Sequence, residues 1–164
     1  MITSLIMAVV LTASQTPAWA WTLYEGSGPV VLANERPDTP DLRSTLECVA
    51  GSGQTRVAVY EATPTPGAAR LESGGAIAAV EAISTADGAT AAPLRIDAPV
   101  FARFEATGSL TFMIGEHRKS IEVGAADLAK LRRFADLCRG WSRHRTGVGR
   151  SRPIRRHSPY RLPS

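Results

Sequence analysis

Ser109-Leu110-Thr111-Phe112-Met113-Ile114, Gly115-Glu116-His117, Lys119-Ser120-Ile121-Glu122-Val123 and, after Gly124, Ala125 to Arg139 form the most sharply patterned stretch of the chain. The first six residues alternate apolar and polar as a half-buried strand does, the tripeptide turns, and the next five alternate back, so the stretch opens with a hairpin. In Ala125 to Arg139 the period changes. Leu128, Leu131, Phe134, Ala135 and Cys138 recur every three or four residues and make one apolar stripe of a helix, with Lys130, Arg132, Arg133 and Asp136 away from it. Just upstream, Asp97-Ala98-Pro99 places a capping carboxylate before a Pro suited to a first turn. Val100, Phe101 and Phe104 then keep helical spacing until Gly108 ends a short helix.

Working back towards the N-terminus, the remaining elements read as strands. Trp21 to Tyr24 and Val30 to Ala33 are β-prone pieces, followed by a polar loop from Asn34 to Asp41. From Leu42 the pattern alternates with Leu46, Cys48 and Ala50 on one face. Gly51-Ser52-Gly53-Gln54 turns, and Arg56 to Glu61 returns as the second strand of a hairpin. Thr63-Pro64-Thr65-Pro66-Gly67 breaks the chain, Ala68 to Glu72 is a strand, and Ser73-Gly74-Gly75 turns again. Ile77 to Ile83 is apolar and Ala-rich, fits helix or strand, and is assigned as strand from its neighbours; Thr85 to Pro93 reads as loop. The order implies an α+β domain: a mostly antiparallel β-sheet or sandwich with a short helix and a C-terminal helix packed on it.

Residues 1–20 carry the apolar run Leu5-Ile6-Met7-Ala8-Val9-Val10-Leu11 and end Ala18-Trp19-Ala20, the form of a secretory signal peptide, although no Lys or Arg precedes the run. The run is well short of the roughly 20 residues of a membrane span. The expectation is therefore an exported protein, periplasmic or extracellular, with a single domain over 21–141 and a disordered Arg-rich tail over 142–164. Cys48 and Cys138 are the only cysteines, and in an oxidising compartment an even pair reads most simply as one disulfide. It would pin the final helix to a strand.

Eight of the 19 Lys and Arg lie in Arg139 to Ser164, which holds no Asp or Glu; the rest of the chain, with 15 acidic residues, has a net charge of −4. The high isoelectric point therefore belongs to the tail. Arg143, Arg145, Arg150, Arg152, Arg155 and Arg156 are candidate contacts to an anionic surface such as lipid head groups or lipopolysaccharide phosphates. The competing reading is a solvated extension; Arg, Pro, Ser and Gly are also what GC-rich sequence yields outside a coding frame. Nucleic acid is not an expected partner, since no aromatic ladder accompanies the arginines.

The segment from Ala98 to Trp141, with apolar anchors Val100, Phe101 and Phe104, then Thr107-Gly108-Ser109-Leu110, a hairpin, and a helix ending Phe134-x-x-x-Cys138, resembles small bacterial periplasmic proteins of the VasI-like accessory and invasion-associated locus B families. The resemblance implies an exported β-rich domain with a binding or accessory role, whose partner is a protein or an envelope component. The residues themselves supply no nucleophile elbow and no phosphate loop: Gly26-Ser27-Gly28 and Gly51-Ser52-Gly53 read as turns, and His117 sits at a hairpin tip. No catalytic residue, cofactor or metal ligand is assigned. A non-enzymatic envelope-binding domain is the first expectation. A small envelope hydrolase with a carboxylate pair brought together in space, or a tether acting through the tail, are the alternatives.

Overall fold

A computed structural model describes residues 18–60 and 66–140. The signal-peptide assignment, except for Ala18 to Ala20, and the whole tail, with Arg143, Arg145, Arg150, Arg152, Arg155 and Arg156, lie outside the described residues. The chain runs β1 (Ala20–Tyr24), β2 (Val30–Glu35), β3 (Leu42–Cys48), β4 (Gln54–Tyr60), β5 (Gly67–Ser73), β6 (Ala76–Ser84), β7 (Ala89–Arg95), α1 (Pro99–Thr107), β8 (Ser109–Ile114), β9 (His117–Glu122) and α2 (Leu128–Arg139). The strands form one sheet in the order β1-β2-β3-β4-β7-β6-β5-β8-β9, antiparallel at each pairing. The expected α+β class with a mostly antiparallel sheet is what the chain adopts.

The sheet curls into a half-barrel, and the curl brings its two edge strands together. The Trp21 indole of β1 donates a hydrogen bond of 2.8 Å to the Glu122 carbonyl of β9, and the Lys130 ammonium on α2 donates to the Trp21 carbonyl at 2.6 Å. The core fills the concave side, where Phe101, Phe104, Phe112 and Phe134 are fully buried with Leu32, Leu46, Leu71 and Leu110. Large side chains from both helices thus fill a space that the Ala-rich strands alone would leave void. Helix α2 lies against β1, β2 and β4, and α1 against β5 and β6.

Cys48 at the end of β3 and Cys138 near the end of α2 are joined, with Cα atoms 5.9 Å apart and a sequence separation of 90. The Gly51-Ser52-Gly53 turn finishes the same junction. The amides of Gly51 and Gly53 each donate at 2.9 Å, to the carbonyls of Leu137 and Cys138, which satisfies acceptors that a helix end leaves without partners. Gly140 ends α2 in the left-handed region at φ 76°, and a Cβ there would stand 3.0 Å from the Gly51 Cα. Glycine is what lets the two backbones meet.

Four expectations need correction. The stretch Thr85 to Pro93 is not all loop: β7 begins at Ala89 and runs to Arg95. Ala89, Thr90, Ala91 and Ala92 are all buried, so the strand shows no alternation to read. Asp97 does not cap α1; the N-cap is Ala98 without a side-chain bond, because the Asp97 carboxylate is held by Arg95 at 2.6 and 2.8 Å. Helix α2 starts at Leu128 rather than Ala125, with Gly124 to Asp127 closing a turn. Finally, β2 runs on to Glu35, into the segment read as polar loop, through register with β3.

Candidate functional site

The ladder between β6 and β7 is short. It consists of Ile83↔Ala91 and Ser84↔Thr90, although β6 has nine residues and β7 seven. Pro93 stands just beyond the break. The Ile96 amide donates to the Gly53 carbonyl at 3.0 Å, one pair beyond Gln54↔Arg95. Antiparallel alternation then makes Arg56↔Pro93 a non-hydrogen-bonded pair and turns the Pro93 nitrogen towards β6. On the other side, the Thr85 amide donates to the Ala89 carbonyl at 2.9 Å, so Ile83↔Ala91 is a hydrogen-bonded pair. The next such pair would set Glu81 against Pro93. Proline has no N–H to give, and the ladder stops there.

Beyond that point the strands diverge into a fork. The register of β6 with β5 pairs Ala82, Val80, Ala78 and Ala76 with Gly67, Ala69, Leu71 and Ser73. The amides and carbonyls of Glu81, Ala79 and Ile77 therefore face the open side, where no described strand continues the ladder. The fork holds two adjoining hollows of about 610 Å³ and about 330 Å³, both lined by Gln54 and Pro93. The larger also touches Val49, Glu81, Ile83 and Ala91. Its apolar rim is exposed to an unusual degree for such side chains: Val49 is 70% exposed and Ile83 55%, with Ile77 at 57% further along β6. An unpaired strand edge beside exposed branched apolar residues is a template for a further strand.

The charges around the fork are few. Glu47 is tied to Arg56 at 2.6 Å and Arg95 to Asp97, whereas Glu81 is exposed and takes part in no ion pair among the described residues. Elsewhere, the carboxyls that depart from their ordinary range move down. The hydrogen-bonding Arg133 guanidinium lowers Glu25, Arg95 lowers Asp97, and the Thr85 hydroxyl followed by the Tyr60 hydroxyl lowers Asp87. A general acid for glycoside cleavage needs the opposite displacement. Burial, then the bond to Asp87, pushes the Tyr60 phenol up.

Among the residues singled out from sequence, Cys48 lies in the wall of the larger hollow and is bonded to Cys138. His117 opens β9 and is exposed. Gly51-Ser52-Gly53 is a turn that caps α2 and borders the fork. Among the described residues no three of His, Cys, Asp and Glu come together to hold a metal, and no helix is long and apolar enough to cross a membrane. A second surface hollow of about 650 Å³, between Trp19, Leu42, Tyr60 and Asp87, has no open strand edge. There Trp19 lies beneath Arg43, 4.1 Å from its ring. The fork was not found from sequence; a Pro inside an apolar, Ala-rich run was its one visible trace.

No protein-family model, curated protein or solved structure matches this chain.

Proposed function

We propose that this chain is an exported, non-enzymatic binding domain of the cell envelope, periplasmic or secreted, that takes an extended segment of a partner protein along the fork between β6 and β7. The observation that carries the reading is the interrupted ladder, which leaves backbone donors and acceptors of β6 unpaired next to Ile77, Ile83 and Val49. Main-chain bonds would supply affinity, and the apolar rim would select alternate side chains of the guest. The disulfide and the signal-like N-terminus support export, and the resemblance of the C-terminal half to periplasmic accessory families points the same way. A small hydrolase is the weaker alternative. Of the carboxyls lining the larger hollow, Glu47 is already neutralised by Arg56.

Ala79→Pro tests the reading, because it removes an N–H that faces the open edge while leaving the Val80 and Ala78 bonds to β5 in place. Short peptides selected on the wild-type domain from a random displayed library are expected to lose at least about tenfold in affinity on the variant, roughly what one or two main-chain hydrogen bonds supply. Circular dichroism and melting should show the same folded domain. Peptides that bind both proteins equally, or a library that yields no binders, would refute the proposal.

A further inference from the structure

We infer that the fork takes its guest in one direction and with one pattern: a strand antiparallel to β6, with Lys or Arg opposite Glu81 and large apolar side chains on its inner face. The inference rests on the binding reading above and names the chemistry of the segment that would fill the site. Direction is the first argument. The open edge of β6 presents both the N–H and the C=O of Glu81, Ala79 and Ile77, as its register with β5 requires. Facing it across the fork, β7 offers a single N–H, that of Arg95, because Pro93 has none. The guest therefore takes its ladder from β6, and antiparallel pairing is the more stable arrangement per residue. A strand running that way meets Glu81 first, at the closed end of the fork beside Ile83↔Ala91, and Ile77 last.

Charge is the second argument. Glu81 is exposed and enters no ion pair among the described residues. Its neighbours on the same face are apolar: Ala68 opposite it on β5, and Ala79 and Ile83 at alternate positions of its own strand. The remaining neighbouring place on that face is the one a guest would occupy, and directly opposed residues of opposite charge stabilise a strand pair. The other charges bordering the fork are already matched, Glu47 by Arg56 and Arg95 by Asp97. Shape is the third argument. Alternate residues of the guest point inwards, opposite Val80 and Ala78, which pack against the main core. The hollow of about 330 Å³ lies on that side, with Ala78, Val80, Leu94 and Ala98 in its wall. Ala78 leaves more room than Val80, so the bulkier inner side chain falls opposite Ala78. Read from its N-terminus, the guest is basic, apolar, variable, then large and apolar.

Peptides selected from a random displayed library on the oxidised full chain, and separately on its Glu81→Lys variant, test the pattern without knowing the partner. The wild-type set is expected to carry Lys or Arg at a fixed distance before a large apolar residue, and the Glu81→Lys set to keep the apolar spacing with Asp or Glu in the basic position. Synthetic wild-type peptides should lose about threefold in affinity on Glu81→Gln and about tenfold on Glu81→Lys, what removing and then reversing one cross-strand charge pair supplies. The same peptides made in reversed sequence should bind at least about tenfold more weakly. Circular dichroism should show both variants folded, since the Glu81 side chain is exposed. Basic residues placed after the apolar positions would mean a guest parallel to β6 and overturn the inference. Basic residues at no fixed spacing, or equal affinity for wild type and Glu81→Lys, would overturn it as well. The two proposals fail separately. Peptides weakened by Ala79→Pro but indifferent to Glu81 defeat the charge pattern and leave the binding site, whereas peptides indifferent to Ala79→Pro defeat the binding site whatever their pattern. A library without binders defeats both.

Discussion

Two adjoining regions of the half-barrel, the junction of β3 with α2 and the fork between β6 and β7, are finished in opposite ways. Where β3 turns into β4, the chain is bound to α2 by the Cys48–Cys138 disulfide and by the amides of Gly51 and Gly53 on the last carbonyls of the helix, while the edge strands are tied by the Trp21 indole. Where β6 meets β7, the ladder stops after two pairs, one hydrogen-bonded pair short of Pro93. The contrast shows that an Ala-rich sheet does not open for lack of bulk. It is closed where covalent and hydrogen-bonded ties are supplied, and it opens one pair short of a residue with no N–H to give. Function is expected at the open fork and stability at the tied junction beside it.

The largest effect should come from breaking the tied junction. Closing a loop of 90 residues is worth about 4 to 5 kcal/mol in the chain-entropy account. Cys48→Ser and Cys138→Ser should each lower the melting temperature by about 15 °C, and the double variant by little more than either. A large loss from only one of the two would mean that the sulfurs act as separate core groups. Trp21→Phe keeps most of the apolar bulk and removes the bond to the Glu122 carbonyl, leaving a carbonyl at the seam between β1 and β9 without its donor. The expected cost is about 1 to 2 kcal/mol, seen in urea unfolding. Exchange should quicken in β9 and stay unchanged in β6.

These two regions also differ in how far they can be read without coordinates. The hairpin of β8 and β9 and the stripe of α2 were legible because each has one buried and one wet face, so that Leu110 and Phe112, or Leu131, Phe134 and Cys138, announce their period. The disulfide was legible by counting. Strand β7 was not, because Ala91 faces a small cluster with Ala58 and Ala89 on the convex side while Ala92 and Leu94 face the main core. With both faces covered, alternation disappears. The fork was the least legible feature. Whether a proline breaks a ladder depends on which edge its nitrogen faces, and that is set by the register of β7 on β4, a pairing across more than thirty residues.

A smaller effect separates surface charge from either region. Arg133 on α2 holds Glu25 by two bonds of 3.0 and 3.1 Å, and the Glu25 carboxyl is lowered in the fold. A carboxyl lowered on folding stabilises above its unfolded value, about 4.3, and that contribution is lost as pH falls through the folded value. Both side chains are substantially exposed, 41% and 54%, and solvent screening keeps the pair's contribution small. Glu25→Gln should therefore lower stability slightly at pH 7 and progressively less as pH falls through the folded value. A difference that persists at low pH would place the effect in packing and not in charge.

The smallest expected change in stability accompanies the sharpest test of the comparison. Pro93→Ala returns an N–H to the edge of β7 opposite the Glu81 carbonyl, at the register that Ile83↔Ala91 already sets. One hydrogen bond adds about 1 kcal/mol, and the freer unfolded chain takes back about 0.4 to 1 kcal/mol, so the melting temperature should stay within about 2 °C of the parent. The fork, however, should zip. Amides of Glu81 and Ala79 should exchange more slowly, and library peptides selected on the parent should no longer bind. Ala79→Pro and Pro93→Ala are thus opposite manipulations of one edge: the first removes a donor that a guest strand would use, the second supplies the donor that makes a guest unnecessary. If Pro93→Ala leaves exchange over β6 unchanged, the missing N–H does not hold the fork open. The cause must then lie in α1, which packs on β5 and β6 and sets the path of β6 away from β7.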